Sequence, residues 1–342
     1  MRNLFDNVAL IDVAHVDAPV RVTSAQIDDA LAPALQGLGM PAGTLEQLTG
    51  IRARRFQEPG VSPSAAATMA AERLLQRAGV KRESIDLLIN SSVCRDFVEP
   101  STASLVHAGL GLGPHCASFD IGNACLGFLD AMALAAHQLE RGAIDLALIV
   151  DGEDARYVVE QTLARLIAAP EPAALRDEFA ALTLGSGAAA MLLGRASEHP
   201  DAVARLRGGV SLAATEHNGL CRGQRDRMIT DSGQLLYAGV ALAERTFAEA
   251  REHLGWTPEE LDLLVMHQVS RAHAEAVTRR LGLSLERAHW TYEERGNIGP
   301  AAIPITLSEA RDLGRLKAGD RAALMGIGSG LNCAMMEVQW KV

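Results

Sequence analysis

Cys125 ends the run Asp120-Ile121-Gly122-Asn123-Ala124-Cys125, and Leu126-Gly127-Phe128 opens the stretch that follows. The residues before it are strand-like. Those from 126 to 141, rich in Ala, Leu and Met, read as an apolar helix that ends at Gly142. A thiol at such a strand-to-helix turn faces the unpaired N–H groups and the positive dipole end of the helix, which favour thiolate. A thiolate in an apolar interior attacks acyl groups and afterwards leaves well. The alternative is an inert packing role, since free cysteines are among the most buried residue types.

Two other segments supply what acyl-thiol chemistry needs, an imidazole and donors for an oxyanion. Val265-Met266-His267-Gln268 ends an apolar run and leads into a helical pattern from Arg271 to Leu281. Gly296-Asn297-Ile298-Gly299-Pro300 is a tight turn before a second helical pattern, Ala302 to Leu313. Taken singly, His267 reads as a core histidine and Asn297 as a turn residue. Taken with Cys125, they read as the parts of an acyl-transfer site.

The elements that must position these groups come from a duplicated chain. Gly79-Val80-Lys81-Arg82-Glu83-Ser84-Ile85-Asp86-Leu87-Leu88-Ile89 is echoed by Gly255-Trp256-Thr257-Pro258-Glu259-Glu260-Leu261-Asp262-Leu263-Leu264-Val265 at an offset of 176 residues. A second echo relates Asp145 to Asp320 at an offset of 175, while the Gly-Ser-Gly turns at Gly185 and Gly328 lie only 143 apart. The first half therefore holds an insertion of about 32 residues, placed near 152–183. The reading is an N-terminal half, 1–195, with the cysteine, and a C-terminal half, 196–342, with the histidine and asparagine. Each half alternates helical patterns with short apolar strands, which predicts an α/β protein of βαβ units with mainly parallel sheets. The 176 offset aligns Cys125 with Ala301, so the helices after Cys125 and after Asn297 should be symmetry mates whose N-termini converge.

Composition bounds the function. Of 342 residues, 48% are hydrophobic and 4% aromatic, enough apolar surface for a large close-packed core. A net charge of −10 argues against nucleic acid and anionic membranes as partners. Five cysteines with no C-x-x-C pair suit a reducing cytoplasm, and ten histidines form no H-E-x-x-H, so no metal is expected. No signal peptide or membrane-spanning run is read, which gives an expected cytoplasmic location.

With these motifs the chain resembles the thiolase superfamily, in its β-ketoacyl synthase III branch, over nearly its whole length. The matching pieces are Gly50-Ile51-Arg52 with Arg54-Arg55, the Cys125 turn, Leu184-Gly185-Ser186-Gly187, His267-Gln268, Gly296-Asn297 and Gly326-Ile327-Gly328-Ser329-Gly330. Arg95-Asp96-Phe97-Val98-Glu99-Pro100-Ser101-Thr102, Leu220-Cys221-Arg222-Gly223 and Gly296 to Ala301 narrow the likeness to the head-to-head condensing thiolases of olefin biosynthesis. The resemblance implies a thiolase fold of two duplicated halves in five layers, α-β-α-β-α. It implies a homodimer that joins two fatty acyl-CoA molecules and needs no cofactor beyond coenzyme A thioesters as substrates. Cys125 would carry the acyl group, the Cys125 and Ser329 N–H groups would hold its oxyanion, and His267 with Asn297 would stabilise an enolate.

Glu99 separates related chemistries. In ordinary synthase III enzymes the residue before this proline is typically aromatic, and decarboxylation of malonyl-ACP generates the carbanion. Joining two unactivated acyl thioesters instead needs a base for an α-proton, and Glu99, offered from the partner subunit, would be that base. Burial in an acyl tunnel would sharpen it, whereas a solvated loop glutamate would do nothing. Arg52, Arg54 and Arg55 are candidate ligands for coenzyme A phosphates, or a plain surface cluster. The competing readings are a β-ketoacyl-ACP synthase III, a hydroxymethylglutaryl-CoA-synthase-like enzyme and a non-catalytic partner subunit. Enzymes of the olefin pathway would be partners downstream.

Overall fold

The computed structural model describes residues 1–37 and 39–341. Nine strands and six helices frame the site. The strands are β1 (Val8–Asp17), β2 (Leu87–Asn90), β3 (Ala117–Asp120), β4 (Leu146–Glu153), β5 (Gly187–Arg195), β6 (Ala204–Ala213), β7 (Leu263–Met266), β8 (Arg321–Gly328) and β9 (Asn332–Trp340). The helices are α1 (Pro63–Ala78), α2 (Thr102–Leu110), α3 (Gly127–Glu140), α4 (Ser232–Leu254), α5 (Arg271–Leu281) and α6 (Ala302–Asp312). One twisted sheet runs β7-β8-β9-β6-β1-β5-β4-β2-β3, with Arg2–Leu4 as a short addition to β6. The first-half strands meet the second-half strands where Ala9 and Leu10 of β1 pair with Arg205 and Ala204 of β6, and where Arg2–Leu4 pairs with residues 208–210 of β6.

The internal repeat is visible in the strand register. Leu87 of β2 lies opposite Ala147 of β4, and Leu263 of β7 opposite Ala322 of β8, preserving the 176 and 175 offsets of the sequence. The expectation of mainly parallel sheets is corrected. Only the β2–β3, β2–β4 and β7–β8 pairs are parallel, and β5, β1, β6 and β9 join antiparallel. Strands buried on both faces are apolar throughout whichever way they run, so their composition carries no direction.

Alternation along these strands builds the layers. In β4, Ala147 and Ile149 face one core while Leu146, Leu148 and Val150 face another. In β7, Leu263 and Val265 face the first core while Leu264 and Met266 face a third. The shared core lies between the two sheet halves and holds α3 and α6 side by side, through Phe128, Leu129, Met132, Ile303 and Leu307. α1 and α2 cover the first half from outside, and α4 and α5 cover the second. The result is five layers with α3 and α6 in the middle. Close approach matters here: a Cβ on Gly152 of β4 would lie 2.1 Å from the Pro63 carbonyl oxygen of α1, so only glycine fits. The insertion forms helices Arg156–Ala168 and Pro172–Glu178, which bury Leu166 and Leu175 against Ile27, Leu31 and Leu45. Among the described residues no helix is long and apolar enough to cross a membrane.

Leu129 is 1% exposed in the central layer. Truncating it opens a cavity that the packed helices cannot collapse, so Leu129→Ala should lower the free energy of unfolding by about 2–5 kcal/mol. Denaturant unfolding of the variant measures this, and a loss below about 1 kcal/mol would mean that the middle layer is loosely packed.

Candidate active site

β3 ends at Asp120, and a five-residue turn carries the chain to Cys125 just before α3. Leu126 N–H donates to the Asn123 carbonyl at 3.0 Å and Gly127 N–H to the Ala124 carbonyl at 3.2 Å. Closing so tight a turn puts Ala124 at φ 45°, in the left-handed region. A side-chain-bearing residue held there costs about 1–3 kcal/mol and marks a position that the surroundings enforce. Gly127 is obligatory, because a Cβ would sit 2.7 Å from the Ser91 carbonyl oxygen. Asn123 is clamped on both sides: its Nδ2 donates to Asp130 Oδ2 at 2.6 Å, and its Oδ1 accepts from Asn332 Nδ2 at 3.0 Å.

The end of β8 lies over this turn. A Cβ on Gly328 would be 3.4 Å from Cys125 N and 3.4 Å from the Asn123 carbonyl oxygen. Ser329, the next residue, is half-buried, and among the described residues neither its N–H nor that of Cys125 donates to a protein acceptor. Two N–H groups without a protein acceptor, one from each chain half, thus flank the contact between Gly328 and the Cys125 turn.

His267 follows β7, anchored by its N–H to the Met325 carbonyl at 2.8 Å. Its Nε2 lies 3.1 Å from Asn297 Oδ1, and Gly299 N–H donates to the same oxygen at 3.0 Å. The backbone donor fixes Oδ1 as the acceptor. Nε2 of His267 therefore carries the hydrogen, and Asn297 Nδ2 is left to donate elsewhere. Gln268, which the sequence showed only as part of a motif, holds the two segments together. Its Oε1 accepts from the Thr291 and Tyr292 N–H groups at 2.8 and 3.0 Å, and its Nε2 donates to the His289 carbonyl at 2.7 Å. A cavity of about 10 Å³ behind His267, lined also by His273 and Cys333, has room for one water.

The electrostatics correct one expectation. Burial, followed by the nearby Cys221 and Glu153, pushes the Cys125 thiol up to about 12, against the dipole and amide effects that favour thiolate. Burial likewise lowers His267 to about 4, with the Asn297 bond opposing, so the imidazole is neutral near pH 7. The resting pair is a thiol and a neutral imidazole. Desolvation outweighs the helix N-terminus even though the residue is only half-buried, because protein from both chain halves packs around the sulfur, which strand-and-helix patterns do not reveal.

Glu99 lies elsewhere on the chain. It sits on the loop 93–100, exposed beside Phe97 and Val98, which are 58% and 92% exposed. It makes no hydrogen bond with Cys125, His267 or Asn297 among the described residues, and its own subunit supplies no burial. The expected arginine cluster does not form. Strand alternation in Ala53–Phe56 turns Arg54 into the interior, where it is 0% exposed and bonded to Ser24 Oγ at 3.2 Å. Arg52 is exposed and paired with Glu293 and Glu294, and Arg55 is half-buried beside the Ala18 carbonyl. Arg54 is thereby removed as a phosphate ligand. Glu153, with burial raising it to about 7, is a site-adjacent carboxyl that the sequence did not single out; the only signal was an acid ending an apolar strand. Among the described residues no group of His, Cys, Asp and Glu could hold a metal ion.

A thiol in a strained turn, a neutral imidazole bonded to an asparagine and a fold of two duplicated halves suit a condensing acyltransferase of thiolase type. Residues 119–207 match the family model of 3-oxoacyl-(acyl-carrier-protein) synthase III, and residues 252–340 match the model of its C-terminal part. The chain is 51% identical over 339 residues to an acyl-CoA:acyl-CoA alkyltransferase of Xanthomonas campestris pv. campestris, covering 98% of this chain and 100% of that one. It is 34% identical over 347 residues to a Shewanella oneidensis protein of the same name, at 98% and 99% coverage. The cerulenin-bound crystal structure of Xanthomonas campestris OleA superimposes with a TM-score of 0.97, at 50% identity and 98% coverage of each chain. The chain belongs to this synthase III family of thiolase-fold enzymes. Other solved structures of that OleA carry substitutions at a glutamate, a cysteine and a histidine separated by 26 and 142 residues, the separations of Glu99, Cys125 and His267 here.

A thiol at about 12 ionises very little at neutral pH. The rate of Cys125 alkylation by iodoacetamide should therefore climb roughly tenfold per pH unit between about pH 6 and 9 without levelling. Intact-mass kinetics of the modification test this, and a plateau with a midpoint below about 8 would mean a pre-formed thiolate.

Proposed function

We propose that this enzyme joins two long-chain fatty acyl-CoA molecules head to head without decarboxylation. The observation that carries the reading is the placement of an acid, Glu99, on an exposed apolar loop of a chain whose Cys125, His267 and Asn297 are otherwise arranged for thioester condensation. In support, the glutamate, cysteine and histidine varied in solved OleA structures have the spacing found here, and one such structure, a cysteine-to-serine variant, holds lauric acid and lauroyl-CoA.

Cys125 attacks the first acyl-CoA, and the Cys125 and Ser329 N–H groups stabilise the tetrahedral oxyanion. Its collapse leaves the acyl group on sulfur and releases coenzyme A, which departs with the proton the thiol gives up. A second acyl-CoA then enters. Glu99 of the partner subunit removes its α-proton, while the His267 Nε2–H and the Asn297 amide stabilise the enolate oxygen. A neutral imidazole suits this task, since it donates a hydrogen bond without surrendering a full charge. The enolate carbon attacks the acyl-Cys125 carbonyl and expels the thiolate, giving a 2-alkyl-3-oxoacyl-CoA. Hydrolysis of that thioester yields the β-keto acid and a second coenzyme A, a product passed on toward long-chain olefins. The acyl groups end joined by a carbon–carbon bond, and no carbon dioxide is lost.

Delivery of Glu99 requires a two-fold dimer, in which the exposed Phe97 and Val98 are covered by the second copy. A malonyl-ACP-dependent synthase is the second reading, favoured by the family models. Such an enzyme has no use for the acid at position 99.

Glu99→Gln separates the half-reactions. Acylation of Cys125 and release of one coenzyme A should persist within about threefold, while condensed product falls by about 100-fold or more. Single-turnover coenzyme A release and product mass measure the two, and near-normal condensation by this variant would remove Glu99 as the base. Cys125→Ser should show no thioester adduct. An acyl adduct on Cys94, Cys116, Cys221 or Cys333 of the unaltered protein would move the nucleophile.

A further inference from the structure

The Glu99 loop, residues 93–100, contains no helix or strand, so its position rests on side-chain anchors. Three carboxylates provide them. Asp96 accepts from Ser64 N–H at 3.0 Å and Ser64 Oγ at 2.7 Å, at the start of α1. Beyond Glu99, Asp120 accepts from the Thr102 and Ala103 N–H groups at 2.9 and 2.8 Å. The third is Glu153, at the end of β4. Its Oε1 accepts from Val93 N–H at 2.6 Å and its Oε2 from Cys94 N–H at 3.1 Å.

Glu153 differs from the other two in what else it touches. It is 4% exposed. A Cβ on Gly299 would lie 3.8 Å from its Cδ, so the carboxylate packs on the turn that carries Asn297. Its charge is also felt at the Cys125 thiol. We propose that Glu153 is a positioning residue that fastens the start of the Glu99 loop to the Asn297 turn of the same chain, and so sets where the base reaches in the partner's site. The inference rests on the reading that Glu99 serves the partner subunit.

The chemistry suits an anchor rather than a base. Both carboxylate oxygens are occupied by backbone N–H donors, and such bonds are about twice as strong as neutral ones when the carboxyl is ionised. Asp151, two residues earlier on the same face of β4, is also buried, and its Oδ2 accepts from Ser91 Oγ at 2.5 Å. Burial raises Asp151 well above the usual carboxylate range, while the Val93 and Cys94 N–H donors oppose the same effect of burial at Glu153. Replacing Glu153 by Gln puts an NH2 group against one of the two amides and removes the charge, which releases the loop at its root while leaving Cys125 in place.

Two differently tagged chains, co-expressed and purified through both tags, test the assignment by position. In the first heterodimer one chain carries Cys125→Ala with Glu153→Gln and the other is unaltered, so the working cysteine is served by the loosened loop. In the second, Glu153→Gln sits on the chain that keeps Cys125, and its partner carries Cys125→Ala alone. Condensation should be about tenfold or more slower in the first heterodimer than in the second, with Cys125 acylation in both within about twofold of the unaltered enzyme. Equal condensation rates, or slower condensation in the second, would overturn the proposal, the latter by showing that Glu153 acts on its own chain's thiol. Glu153→Asp keeps the charge but withdraws the oxygens by one methylene, and should give the same asymmetry should the Gln chain not fold. Normal condensation by a Glu99→Gln dimer would instead defeat the underlying reading of Glu99, a separate result from a separate variant.

Discussion

The bond from Asn332 to Asn123 crosses the boundary between the chain halves at the Cys125 turn, the bond from Asn123 to Asp130 ties that turn to α3, and the rest of the site is placed relative to them. Asn332 belongs to β9 of the second half; Asn123 and Asp130 belong to the first. With Asn123 held on both sides, Ala124 stays left-handed and Cys125 faces the end of β8. The turn would otherwise relax toward ordinary backbone angles and take the thiol with it. The packing of α3 against α6 supplies the rigid floor beneath, because their N-terminal ends bring the cysteine and asparagine segments to the same place. Duplication is therefore a means of bringing two helix starts, one per half, to a single point.

The same enclosure sets the electrostatics. A thiol raised to about 12 and an imidazole lowered to about 4 share one cause, the removal of water from around them. Neutral groups are the stable resting forms in such a place, and charge appears only when substrate brings it. This favours an enolate or tetrahedral oxyanion held by fixed donors over any pre-formed ion pair. Glu99 lies outside this enclosure, on a loop rather than on the inner strands.

Much of this was legible in the residues. The Cys125 turn, the His267 strand end and the Asn297 turn announce themselves through small residues at element boundaries, and the 176-residue offset foretold that α3 and α6 would meet. Strand direction was not legible, since β1, β5, β6 and β9 are mostly buried, and neither their burial nor their composition reads differently in the two senses. The arginines misled because Arg54 looks like its exposed neighbour Arg52 until the strand is formed and its face is known. The thiol pKa was misjudged because a turn shows its dipole in sequence but not its walls. Gln268 and Glu153 were overlooked for a related reason: each acts by bonding backbone N–H groups far away in the chain, and such partners leave no local pattern.

Incubation of the purified enzyme with a single fatty acyl-CoA, with no malonyl thioester present, tests the central claim most directly. The expected outcome is a β-keto product containing two acyl chains, with two coenzyme A molecules released for each product formed. Release of coenzyme A that stops after one equivalent per Cys125 and resumes only when a malonyl thioester is added would contradict it.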